Sequence, residues 1–262
     1  MEIIGFILGI LIGISLGLIG SGGSILTIPI LVYIMRIQPS LATTYSLFIV
    51  GIAALVGSIK GAKDKLLAYN IALYFGVPSI VSIFIMRSFI VPLLPNKLFS
   101  IFNFDVSKDL FIMLVFAVLM ILASVAMIKK NQNHNDQNQS INKSKIAVKG
   151  VFVGLITGFV GVGGGFLIIP TLIFSAKLSM KSAVATSLII IAFNSLIGFA
   201  GSLNDSIIDW KFLGLFSSFA IVGIFTGMFL SKKIDNEKLK PAFGWFVLTT
   251  GIYILIKELI FK

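Results

Sequence analysis

The chain has 262 residues, 57% hydrophobic and only 12% charged, with a mean hydropathy of +1.06. Soluble domains carry about twice that charged share, so a soluble fold is excluded and the chain reads as an integral membrane protein. The absence of cysteine removes disulfide frameworks, zinc-thiolate sites and redox pairs. The net charge of +11 fits cytoplasmic loops of a membrane protein better than a nucleic-acid partner.

In chain order, the first apolar stretch covers residues 3–35. It opens with Glu2, without a basic n-region or an A-x-A site, and reads as retained chain rather than a signal peptide. As one helix it would reach about 50 Å, too long for a single ordinary crossing. The cluster Gly20-Ser21-Gly22-Gly23-Ser24 breaks it into two helical pieces. Full-length apolar runs follow at 41–59, 66–91 (with Pro78 as an expected kink) and 110–128. Residues 130–144, KNQNHNDQNQSINKS, are polar, hold the single His134 and read as a flexible linker. The second unusual stretch, 147–176, is broken by Gly161-Val162-Gly163-Gly164-Gly165. Further full-length runs occupy 182–202, 212–230 and 241–256.

A shift of 141 residues aligns the halves. Identical pairs include Gly9/Gly150, Gly13/Gly154, Gly17/Gly158, Gly20/Gly161, Gly22/Gly163, Gly23/Gly164 and Pro29/Pro170, and the register continues through Ser46/Ser187 to Asp64/Asp205. Two repeats of one unit are a habit of secondary transporters. Charge distribution gives their relative sense. If each broken stretch returns to the side it entered from, fourteen of the 21 basic residues share the side of the linker; if each crosses once, eleven do. The first arrangement obeys the positive-inside rule. The expected fold is therefore all-α, with two inverted repeats, each of three transmembrane helices plus a glycine-broken hairpin. The expected divisions are 1–129, a cytoplasmic linker at 130–145, and 146–262.

Non-helical backbone at membrane depth is tolerated only where it is buried in protein or lines a wet cavity. The helical pieces that start after the breaks, near Ser24 and Gly165, present N–H groups without intrahelical partners and a positive dipole end, which suits an anion. The candidate substrate-binding residues are Gly20, Ser21, Gly22, Gly23, Ser24, Gly161, Gly163, Gly164 and Gly165 at the breaks. The hydroxyl and amide groups of Thr43, Thr44, Ser46, Thr186, Ser187 and Asn194 join them from the helices that follow. Serine and threonine also bond their own backbone or join helices. Gly9, Gly13 and Gly17, with Gly150, Gly154 and Gly158, form small-xxx-small patterns that read as close helix packing. The expected membrane cores hold no Asp, Glu or His, and Arg87 lies near a helix end where it can snorkel. An acid relay or a membrane enzyme is thus disfavoured, and no cofactor or metal is expected.

The paired motifs G-L-I-G-S-G-G-S-I-L-T-I-P at 17–29 and G-F-V-G-V-G-G-G-F-L-I-I-P at 158–170 resemble the TauE/SafE family of membrane transporters, also called the sulfite exporter family. The duplicated halves and polar middle loop match as well. The resemblance implies a multi-pass plasma-membrane transporter of sulfur-containing anions such as sulfite, thiosulfate or organosulfonates. Ser21 and Ser24 in the first break correspond to Val162 and Gly165 in the second, so the two half-sites differ. The expected function is alternating-access transport of a small anion, with the lipid bilayer as surroundings. The competing readings are a membrane assembly protein that transports nothing, and a carrier of a cation or neutral solute on the same scaffold.

Overall fold

The computed structural model describes residues 2–20, 22–95, 97–101, 104–128, 143–203, 208–231 and 236–260. Its helices in chain order are α1 (Glu2–Ile19), α2 (Gly22–Pro29), α3 (Pro39–Lys63), α4 (Tyr69–Ile85), α5 (Lys108–Ile128), α6 (Lys143–Val160), α7 (Gly165–Ala176), α8 (Met180–Ala200), α9 (Trp210–Ser231) and α10 (Asn236–Ile260). Two wider π-helical turns extend α2 (Ile30–Ile34) and α4 (Met86–Ile90), and Val91–Leu93 finishes the latter. Among the described residues, five helical spans are long and apolar enough to cross a membrane. The sixth expected run, 241–256, lies within α10. An antiparallel hairpin of β1 (Lys97–Ile101) and β2 (Phe104–Ser107) separates α4 from α5 and has no precedent in the apolar pattern.

The breaks fall where the glycines do. Left-handed backbone ends α1 at Gly20 (φ 76°) and α6 at Gly161 (φ 77°), a conformation that glycine adopts without steric cost. Their N–H groups still bond back to the Leu16 and Thr157 carbonyls at 2.7 and 2.8 Å. α2 then folds back on α1, with Gly23 against Ile12 and Leu16. It begins at Gly22, two residues earlier than the sequence reading placed it. Pro78 sits inside α4, where it removes one helical hydrogen bond without ending the helix, which runs on into the π turn.

The 141-residue register extends to the backbone. It relates the starts of α1 and α6, α3 and α8, and α4 and α9, and the left-handed Arg36 and Lys177 that end the two hairpins. Contacts between the halves are reciprocal. α1 packs along α9 as α6 packs along α4, through Gly9 on Phe216, Gly13 on Ala220 and Gly17 on Ile224, matched by Gly150 on Phe75, Gly154 on Ser79 and Gly158 on Ile83. At Gly13, Gly17, Gly150 and Gly154 a Cβ would overlap a backbone carbonyl of the facing helix, so close packing is their role here. α3 and α8 form the central pair. Gly51 lies beside Ser195, Gly57 beside Leu188 and Gly61 beside Ala185, so the two run antiparallel. Equivalent bonds tie them to the residues that precede α9 and α4. The Asp209 N–H donates to the Tyr45 hydroxyl (2.9 Å), and the Ala68 N–H donates to the Thr186 hydroxyl (3.0 Å).

The outer surface is apolar, with Leu73, Leu122 and Phe152 each more than 60% exposed, while Ser24, Thr43, Ser46, Thr186, Ser187, Asn194 and Ser195 are buried. Polar groups inside and hydrocarbon outside is the distribution a bilayer demands. The chain is a multi-pass membrane protein.

Candidate functional site

The second break is the more open in backbone terms. Gly161, Gly163 and Gly164 all have positive φ (77°, 68° and 81°), and α7 starts at Gly165 with Gly164 as its N-cap. Every residue from Val160 to Phe166 is buried. Gly163 faces the Ser195 hydroxyl on α8, with Val50 of α3 and Ile191 of α8 at 3.4 and 3.5 Å from where a Cβ would lie. Val50 and Ile191 are register equivalents, so this glycine is flanked by matching positions of the two halves, about halfway along both central helices. Gly164 packs on Thr157 of its own hairpin.

Gly161 meets Thr43 and the Arg87 guanidinium so closely that a Cβ would overlap both. Arg87 Nη1 donates to the Thr43 hydroxyl at 3.2 Å, and that hydroxyl donates onward to the Ser40 carbonyl at 2.7 Å. Gly201 leaves room for the arginine stem, whose Cβ lies 3.2 Å from where a Cβ at Gly201 would be. Arg87 is only 3% exposed. The snorkelling expected of it is therefore corrected: the π turn Met86–Ile90 carries it, and its side chain runs into the protein at the second break. Burying an arginine at membrane depth costs about 3 kcal/mol or more, which polar partners must offset.

Ser195 Oγ at the break, together with Ser46 Oγ and Asn194 Oδ1, has no hydrogen-bond partner among the described residues. Asn194 Nδ2 donates to Ser79 Oγ at 2.7 Å. Helical spacing puts Ser46 on the α3 stripe of Thr43 and Val50, which faces the break. The other expected hydroxyls are engaged elsewhere. Thr44 donates to the Ser40 carbonyl (3.4 Å), Ser187 donates to the Val184 carbonyl (2.8 Å), and Thr186 accepts from Ala68.

At the first break, Gly20 lies against Val184 and Ile169, both apolar. Gly23 faces its own hairpin partner, and Ser24 is fully buried. Ser21 lies outside the described residues, as do the surroundings of Gly22. The sequence reading thus missed Arg87 and Ser195. A lone cation inside an otherwise apolar run was the signal for Arg87; Ser195 offered none beyond its neighbour Asn194.

An open cleft of about 330 Å³ lies apart from the breaks, lined by Tyr33, Arg36, Pro39, Lys257 and Glu258 among others. There the Tyr33 hydroxyl donates to Glu258 Oε1 at 3.0 Å, and the Lys257 ammonium sits 3.9 Å from the Tyr33 ring centre, which fastens the end of the first hairpin to α10. Pro39, on its wall, is one helical turn from Thr43. No group of three or more His, Asp or Glu that could hold a metal is present among the described residues.

Comparison with known proteins agrees with this architecture. A "Probable membrane transporter protein" of Xylella fastidiosa (strain 9a5c) is 27% identical over 254 residues, covering 94% of this chain and 92% of its own. The "Probable membrane transporter protein MJ0441" of Methanocaldococcus jannaschii is 26% identical, covering 95% and 94%. The "Probable membrane transporter protein YunE" of Bacillus subtilis (strain 168) is 24% identical, covering 89% of each. No solved structure matches at a significant level. The family model described as sulfite exporter TauE/SafE matches residues 5–254, and the chain belongs to that family.

Proposed function

We propose that this membrane transporter moves a small sulfur-containing oxyanion, such as sulfite, thiosulfate or an organosulfonate, by alternating access of two inverted repeats, with the second glycine break as its substrate site. The observation that carries the reading is the buried, left-handed second break halfway along the central helices, where the Ser195 hydroxyl facing Gly163 has no hydrogen-bond partner among the described residues. Buried polar groups are paired almost everywhere in proteins, so an unpaired hydroxyl facing open glycine backbone suits a ligand. Hydroxyl donors and the N-terminus of α7 favour an oxyanion. Neutral donors bind it without holding it irreversibly, as a carrier requires. Inversion is supported by the antiparallel α3–α8 pair and by the charge count.

Purified protein in proteoliposomes tests this through saturable flux of sulfur-labelled sulfite or thiosulfate, competed by other oxyanions and not by cations. Gly163→Leu should reduce that flux to background while the protein remains folded and inserted, because the side chain fills the site. Flux no higher than in empty liposomes would leave the assembly-protein reading, and competition by cations would leave the cation carrier. The chain lacks cysteine, so single introduced cysteines report topology: Gln132 and Asn236 should label from the cytoplasm and Asn96 from outside.

A further inference from the structure

We propose that Arg87 is the charge-selecting residue of this transporter: its guanidinium, positioned by the Thr43 hydroxyl and lying against Gly161, binds the oxyanion at one end of the second break, while the corresponding place in the first half binds none. The inference rests on the reading of that break as the substrate site and adds to it the formal charge that neutral donors lack.

The geometry points there from several directions. Arg87 stands in an apolar span, Tyr69–Leu93, yet is 3% exposed. Such residues are expensive at membrane depth and mark substrate pathways. The side chain reaches Thr43, 44 residues away, and lies against Gly161 on a third helix, so elements from both halves converge on it. Two glycines make the room: Gly161 admits the guanidinium and Gly201 the stem. The planar fork of arginine matches paired oxyanion oxygens, which lysine cannot reproduce.

The duplication supplies an internal control. In the 141-residue register Arg87 corresponds to Met228, Thr43 to Val184 and Gly161 to Gly20. Gly20 packs on Val184 just as Gly161 packs on Thr43, so the backbone arrangement is the same in both places. A scaffold that tolerates methionine and valine in one copy does not need arginine and threonine in the other. The polar pair sets the second break apart from the first on a shared backbone.

The test is calorimetric titration of thiosulfate, sulfite and chloride into the purified full chain in lipid nanodiscs, with folding monitored by size exclusion and thermal melting. Arg87→Gln should weaken thiosulfate about tenfold or more and erase its preference over chloride. Arg87→Lys should recover part of the affinity but not the preference for oxyanions. A folded Arg87→Gln protein that binds thiosulfate within about twofold of wild type overturns the proposal. If neither arginine variant folds, Thr43→Val, which installs the residue found in the other half, decides: about threefold weaker binding supports the assignment and unchanged binding overturns it. Wild-type protein that binds no oxyanion would instead overturn the functional reading itself, a result separable from one in which only the arginine proves idle.

Discussion

The two halves share a scaffold and differ in the lining of their breaks. Helix starts, hairpin ends and packing glycines repeat at an offset of 141 residues, and each small-residue contact of α1 on α9 has its counterpart in α6 on α4. The lining does not repeat. Gly20 lies on Val184 and Ile169, whereas Gly161 lies on Thr43 and Arg87, and the Ser195 hydroxyl that faces Gly163 stands in register with Ala54. Duplication preserves what the fold needs twice. Polar groups at membrane depth cost free energy, so those confined to one copy are the ones the fold does not ask for.

The comparison breaks most visibly if the packing is not equivalent. Gly13→Leu and Gly154→Leu should each destabilise the protein by about 3 kcal/mol, because both force a side chain into a facing carbonyl. The thermal melting temperatures of the two variants should fall together; a clear difference would mean that one helix pair carries the fold alone. The breaks should respond unequally. Gly161→Ala and Gly20→Ala both place a Cβ on left-handed backbone, costing roughly 1–2 kcal/mol of stability. Only Gly161→Ala should also weaken thiosulfate binding, by about tenfold, since its methyl group meets Arg87 and Thr43. Equal binding losses in titration would return the first break to the site. The smallest effect belongs to the hydroxyl: Ser195→Ala should weaken binding about fivefold, the worth of one hydrogen bond. Ala54→Ser, at the equivalent position, should leave affinity unchanged, and a loss there would show that both half-sites hold substrate.

Much of this was legible in the chain. The apolar runs, the two breaks and the repeat register follow from composition and spacing, since hydrocarbon-facing helices and glycine breaks are local properties. The small-xxx-small glycines were assigned to packing on spacing alone, and they pack. The hydroxyl candidates were harder. Thr43 reaches the second break, but Ser187 and Thr44 bond their own helices, because a membrane serine or threonine has a carbonyl of the preceding turn always within reach. The β1–β2 hairpin escaped notice, being short and bounded by no turn signature strong enough to oppose the neighbouring apolar runs.

By itself, the sequence determined the membrane class, the duplication and the positions of the breaks, all of which depend on residues close together along the chain. Only the tertiary structure decided that Arg87 and Thr43 line the second break. Arg87 lies in the first half and Gly161 in the second, and their meeting requires α4 to pack along α6 while α3 brings Thr43 alongside. Periodicity describes one helix at a time, so it placed Arg87 near a helix end facing the interface. The π turn and the crossing of the halves turned it inward, toward the glycine backbone.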